Sequence, residues 1–299
     1  MASVESYARN SQDRPWSTFN FYQFKGDSKV SIPWTKQILP VNGIDLHVSR
    51  AGIGESLLMI HGFTVDATFE QHEIDELADT YHVIAPDVRG HGRSSRPAAF
   101  TLHDHVDDMI DLLDTLGIQR TAVLGASMGS YIAQALTLAI PDRVSKLILV
   151  VAKANGASSS SARILAEHAE ELRGMSREEQ QQWLNARMFA PQTSAAVRQQ
   201  VLDWIIDRQN LDLSMTPAQL EAANNAMLDF DFRDQLHDLD VETLVISGRH
   251  DILNPPEEGQ QIAGLLPHAQ MQVFEDSGHL LSWEEPDHYV NAIRTFLAD

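Results

Sequence analysis

Short apolar runs recur along the chain at residues 37–40, 44–48, 57–60, 82–85, 122–124, 146–151, 243–246 and 271–274. Most are continuous rather than alternating, the pattern of strands buried on both faces of a sheet. Stretches with helical spacing lie between them, at 69–77, 103–116, 130–139, 258–266 and 288–297. In the second, Val106, Ile110, Leu113 and Leu116 fall on one helix face. Alternation of strand and helix predicts an α/β fold with a mostly parallel, about eight-stranded sheet and helices on both faces. Asn42-Gly43 separates the first two runs, a pair that tolerates the positive φ of a tight hairpin. Antiparallel strands are therefore expected at one edge.

The alternation breaks between residues 153 and 239. A small-residue linker, Gly156-Ala-Ser-Ser-Ser-Ser-Ala162, leads into four helical patterns at 161–174, 177–189, 195–209 and 217–228, with no strand among them. This reads as a helical cap, 153–239, inserted into a core made of 36–152 and 240–299. Residues 1–35 read as an N-terminal extension with scattered aromatics, Trp16, Phe19, Phe21, Tyr22 and Trp34. The aromatics suggest packing on the chain's own body or on a second copy, as in a homodimer.

Composition narrows the picture. At 299 residues and 43% hydrophobic, the chain can bury a full core. The formal charge of -20 repels phosphate backbones, so nucleic acid is not an expected partner. No apolar run approaches a membrane span, and the N-terminus lacks a signal-peptide core, so a cytoplasmic protein without membrane attachment is expected. Cysteine is absent, which removes thiol catalysis and cysteine zinc sites.

Four strand ends carry candidate chemistry. Gly125-Ala-Ser127-Met-Gly129 stands between an apolar run and a helical pattern. A sharp strand-to-helix turn there would expose the Ser127 hydroxyl, and flanking glycines would remove colliding side chains. The bare pentapeptide is common by chance, so this context carries the reading. His279, in Ser277-Gly-His279, follows the last strand and can act as general base. Asp251, in Gly248-Arg-His-Asp251, follows the preceding strand and can orient that histidine. Asp276 is the rival acid. His61-Gly62-Phe63 follows the third strand, and the backbone N–H groups of Phe63 and Met128 are the natural oxyanion donors. His61 reads as structural. No metal or organic cofactor is expected.

Together with Pro86-Asp-Val-Arg-Gly-His-Gly-Arg-Ser94, these segments resemble the α/β-hydrolase superfamily, and within it the lidded carboxylesterase and 3-oxoadipate enol-lactonase-like branch. The resemblance covers about residues 36–299. It implies that 87–94 is a structural loop, so Arg89 and His91 are not catalytic. Branches that open epoxides or remove halides use an aspartate nucleophile, and serine at 127 argues against them. C–C hydrolases often carry a Gly- and Pro-rich oxyanion segment, which Gly62-Phe-Thr-Val-Asp-Ala67 matches poorly.

The expected activity is therefore hydrolysis of a small or medium carboxylic ester or lactone through an acyl-enzyme. The same residues could serve C–C bond hydrolysis, perhydrolysis or cofactor-free histidine chemistry, or a binding protein with incidental hydrolysis. Trp183, Met188, Phe189 and Trp204 in the cap are candidates for the substrate pocket, with sealing of cap onto body as the plainer role for each.

Overall fold

The computed structural model describes residues 32–299. The extension aromatics Trp16, Phe19, Phe21 and Tyr22 lie outside the described residues. The described residues form an eight-stranded sheet of β1 (Thr35–Val41), β2 (Ile44–Ala51), β3 (Glu55–Ile60), β4 (Tyr81–Pro86), β5 (Thr121–Ala126), β6 (Val144–Val150), β7 (Thr243–Gly248) and β8 (Ala269–Phe274). The spatial order is β1-β2-β4-β3-β5-β6-β7-β8. β1, β2 and β4 pair antiparallel, and every other pairing is parallel. The β1–β2 hairpin turns at Asn42 and Gly43, both at positive φ (42° and 75°), the backbone that lets two residues reverse twisted strands.

Alternate residues of the central strands serve opposite faces. Leu58 and Ile60 of β3 and Leu147 and Leu149 of β6 face one cluster, with α2 (Leu102–Thr115) and α3 (Met128–Ala139) packed over it. Leu57, Met59, Ile148 and Val150 face the other, covered by α1 (Gln71–Leu77) and α10 (Pro286–Ala298). Because both faces are covered, the strands need apolar side chains at every position, and the runs are continuous. α8 (Pro256–Leu265) adds Ile262 to the first cluster. Trp34 rests on the second face and donates its indole N–H to Asp75 at 2.6 Å.

Between β6 and β7 the chain forms α4 (Ser160–Glu167), α5 (Arg177–Arg187), α6 (Ala195–Asn210) and α7 (Pro217–Asn225). It enters and leaves through a short antiparallel bridge, with Phe232 N–H donating to Ala154 O at 2.9 Å and Gly156 N–H to Phe230 O at 2.7 Å. α4 stops at Glu167, short of the expected 174. Glu170 and Glu171 would sit at the negative end of a longer helix. Glu171 instead accepts from the Trp183 indole and from Arg187. Also unforeseen is the single turn α9 (Leu281–Glu284).

A buried acidic pair lies beneath the second face. Burial pushes the Glu70 carboxyl up to about 8, helped by the charge of Glu73, and burial pushes Glu73 up to about 7. The folded protein thus holds protons that the unfolded chain, titrating near 4.5, has already released. Stability falls as pH rises from the unfolded value through these raised ones. Thermal unfolding from about pH 5 to about pH 8.5 is expected to show a falling midpoint, with a shallower fall in Glu70→Gln. An unchanged slope in that variant would refute the assignment.

Candidate active site

Ser127 sits at the turn from β5 into α3 with φ 51° and ψ -115°, a strained backbone for a residue with a Cβ. The turn is held by its surroundings. Ser127 N–H donates to Val150 O at 2.9 Å, and the Ser130 hydroxyl donates to Ser127 O at 2.6 Å. A Cβ at Gly125 would collide with the Gly129 carbonyl, and one at Gly129 with the carbonyl of Ile60 on β3. Both positions exclude side chains for that reason. Met128 is the first residue of α3, so its N–H belongs to the helix end that has no intrahelical acceptor.

The loop after β3 passes alongside. A Cβ at Gly62 would lie 3.6 Å from the Ser127 Cβ, so the neighbouring Phe63 is at the edge of the same site. His61 braces this loop. Its Nε2 accepts the Val88 N–H at 3.0 Å and its Nδ1 faces Gly62 O at 2.7 Å, which assigns the Nδ1–H tautomer. Burial lowers its pKa, so it is a neutral strut between the loops after β3 and β4.

The 87–94 loop is likewise a brace. Burial raises the Asp87 carboxyl, yet His47, 2.9 Å away, and the Arg93 N–H outweigh that and hold it at about 2. It also accepts the Ala67 N–H at 3.1 Å, which ties it to the segment after β3. Arg89 forms a buried ion pair with Asp108 at 2.5 Å.

His279 and Asp251 come from the loops after β8 and β7. His279 Nε2 lies 2.9 Å from Ser127 Oγ, and Nδ1 lies 2.8 Å from Asp251 Oδ2. The other Asp251 oxygen accepts the N–H groups of Leu253 at 2.8 Å and Asn254 at 3.1 Å. That leaves Oδ2 for the histidine. Asp276 points away; it is exposed and accepts from the Gln192 side chain at 3.1 Å. The three residues form one hydrogen-bonded chain from hydroxyl to buried carboxylate. It can move a proton from Ser127 to His279 while Asp251 steadies the imidazolium.

The four candidate pocket residues each have a packing partner. Trp183 joins Ile164, Leu172, Leu184 and Leu253, with Arg187 over its ring at 3.8 Å. Met188 leans on the same cluster, and its carbonyl accepts the His279 backbone N–H at 2.7 Å. Phe189 lies under the Arg198 guanidinium at 4.8 Å. Trp204 meets Phe69 edge-on at 4.9 Å and donates to the Thr68 hydroxyl at 3.3 Å.

Two polar residues of this region, Asn254 buried and Glu284 half-buried, escaped the sequence reading. Asn254 donates to the Tyr131 hydroxyl at 2.9 Å and to Val151 O at 2.6 Å, and accepts from Ser160 at 2.8 Å. It thereby joins the Asp251 loop to β6, α3 and α4. Glu284 joins the His279 loop to the segment between α5 and α6. No spacing rule marks either. Among the described residues, no group of three or more His, Asp and Glu is placed to hold a metal ion, and no helix is long and apolar enough to cross a membrane.

A family model of the alpha/beta hydrolase fold matches residues 55–286. A 2-hydroxy-6-oxononadienedioate/2-hydroxy-6-oxononatrienedioate hydrolase of Cupriavidus pinatubonensis is 30% identical, covering 85% of this chain and 91% of its own. Among solved structures, a thermophilic esterase from Thermogutta terrifontis (malate bound) matches with TM-score 0.74 and 30% identity, over 88% of this chain and 98% of that one. The enol-lactonase from Burkholderia xenovorans matches with TM-score 0.75 and 23% identity, over 88% and 100%, a likeness of fold.

Proposed function

The chain belongs to the alpha/beta hydrolase family, and on that premise we propose that it cleaves a small or medium carboxylic ester or lactone through an acyl-enzyme. The unbroken chain Ser127 Oγ, His279 Nε2, His279 Nδ1, Asp251 Oδ2, with both contacts under 3 Å, carries the reading. Ser127 attacks the carbonyl carbon while His279 takes the hydroxyl proton. The N–H groups of Phe63 and Met128 donate to the resulting oxyanion, and the positive end of α3 favours the same charge. His279 then protonates the leaving oxygen, and the acyl group stays on Ser127. Water, deprotonated by His279, attacks the ester carbon; the bond to Ser127 Oγ then breaks, His279 returns the proton to that oxygen, and the acid leaves.

In this reading residues 153–239 are a cap over a core of 36–152 and 240–299. Its Trp183, Met188, Phe189 and Trp204 contribute apolar surface toward the substrate and exclude water. A second reading, C–C bond hydrolysis by the same residues, draws on the 30% identical relative named for a 2-hydroxy-6-oxononadienedioate substrate.

Fluorophosphonate labelling followed by peptide mass mapping tests the first reading. One label, on Ser127, is expected. An unlabelled Ser127 under conditions that label ordinary esterases would overturn it. A panel of nitrophenyl esters, lactones and vinylogous 1,5-diketones then separates the two readings by which bond is cleaved.

A further inference from the structure

Glu284 stands in α9, five residues beyond His279, and its carboxylate accepts three hydrogen bonds. Gly278 N–H, beside His279, donates at 2.8 Å. Ala190 N–H donates at 2.7 Å, and the Thr193 hydroxyl donates to the same oxygen. The last two belong to the irregular segment between α5 and α6. This segment also touches the histidine directly, because His279 N–H donates to Met188 O at 2.7 Å. The approach is close enough that a Cβ on Gly278 would collide with the Met188 carbonyl.

The carbonyl side of the segment is held as well. Arg198 of α6 donates to the carbonyls of Ala186 at 3.0 Å, Ala190 at 2.8 Å and Thr193 at 3.3 Å. An anion gathers the segment's N–H and O–H donors and a cation gathers its carbonyls. Only the anion also grips the loop that carries His279. The backbone of that loop is thus fixed, on its helical-segment side, by a carboxylate and a carbonyl that depend on the segment being seated.

We propose that Glu284 is a positioning residue that ties the orientation of His279 to the seating of the segment between α5 and α6. With the segment seated, Gly278 and His279 are both anchored and the imidazole is held between Ser127 and Asp251. With the segment displaced, Glu284 loses two of its three donors, Met188 withdraws its carbonyl, and the histidine loop is free to shift. Acyl transfer is then confined to the seated state. The inference rests on the acyl-enzyme reading above, because it assumes that His279 activates Ser127.

Glu284→Gln tests it. The amide keeps the size of the side chain but presents an NH2 group to N–H donors on one of its two sides. Three readouts are followed with p-nitrophenyl acetate and a fluorophosphonate: kcat and KM, the rate of Ser127 labelling, and the thermal midpoint. A shift of the imidazole by a fraction of an ångström is expected to lower kcat by roughly 10- to 100-fold. The labelling rate should fall in parallel, with KM changed less than about threefold.

A merely structural clasp would lower the thermal midpoint and leave kcat and labelling of the folded enzyme as they were; that result overturns the inference. Thr193→Val, which removes one donor to Glu284 at constant shape, is the companion variant if Glu284→Gln fails to fold. It is expected to lower kcat and labelling together by a smaller factor, and unchanged values there overturn the inference equally. A wild-type protein that the probe does not label at Ser127 would instead sink the acyl-enzyme reading, and this inference with it.

Discussion

Ser127→Ala is expected to abolish ester hydrolysis, with a loss on the order of 10^5-fold or more in kcat, and to leave the fold intact. The size follows from what the hydroxyl does. In the acyl-enzyme reading it is the attacking atom, so no other group in the hydrogen-bonded chain can replace it. His279 without Ser127 has only water to activate, unpositioned by any covalent link. The backbone cost of φ 51° is unchanged by the substitution, since alanine also has a Cβ. What is lost structurally is one contact, from Ser127 Oγ to His279 Nε2 at 2.9 Å. The thermal midpoint should therefore stay within a few degrees of wild type or rise slightly. Residual turnover above water would come from the oxyanion donors and binding alone. The variant also separates chemistries. A reaction in which His279 alone abstracts a substrate proton would survive in good part, whereas acyl transfer would not. Substantial activity in Ser127→Ala would overturn the acyl-enzyme reading.

The loops that carry Ser127, His279 and Asp251 show what a sequence can disclose. Each follows an apolar run, and in a parallel sheet the ends of successive strands share one edge. Side chains at Gly125 and Gly129 would strike backbone carbonyls, those of Gly129 and of Ile60 on the neighbouring β3. Local pattern and topology were enough to bring those residues to one place. The orientation of Asp251 is set less locally, in the loop after β7, where Leu253 and Asn254 turn their N–H groups toward one oxygen and leave the other 2.8 Å from His279 Nδ1.

Glu284 was out of reach for the same reason on a longer scale. Its partner Ala190 is 94 residues away, joined by a contact between two loops with no period to reveal it. Glu70 and Glu73 mislead in another way. In sequence they are ordinary acidic residues at the start of a helix, where solvent would be expected. In the fold they are buried, and that burial is the largest cause of pKa values of about 8 and about 7, with neighbouring acidic charge adding to it. The end of α4 lies between these cases: its helical residues continue past Glu167, but Glu171 is drawn off by Trp183 and Arg187 of the next helix.

The second large effect is expected for Asp251→Asn, which should lower kcat by about 10^4-fold while the protein stays folded. The asparagine is nearly isosteric and has two possible orientations. Its oxygen is pulled toward the backbone, because Leu253 and Asn254 both present N–H groups to one position. Turning the NH2 group there would set donor against two donors in a fully buried place, at a cost of several hydrogen bonds. The amide NH2 is therefore aimed at His279 Nδ1, where Asp251 Oδ2 now stands. An NH2 group donates, so Nδ1 must accept, and the imidazole proton moves to Nε2. That nitrogen then faces Ser127 Oγ as a donor and can no longer take its proton. Labelling by a fluorophosphonate should slow with kcat, since both need the same proton transfer. Asp276→Asn is the matched control. Asp276 is exposed and, among the described residues, bound through the side chain of Gln192, so its loss should change kcat by no more than about twofold. If Asp276→Asn were the crippled variant and Asp251→Asn the active one, the orienting acid would have been assigned to the wrong loop.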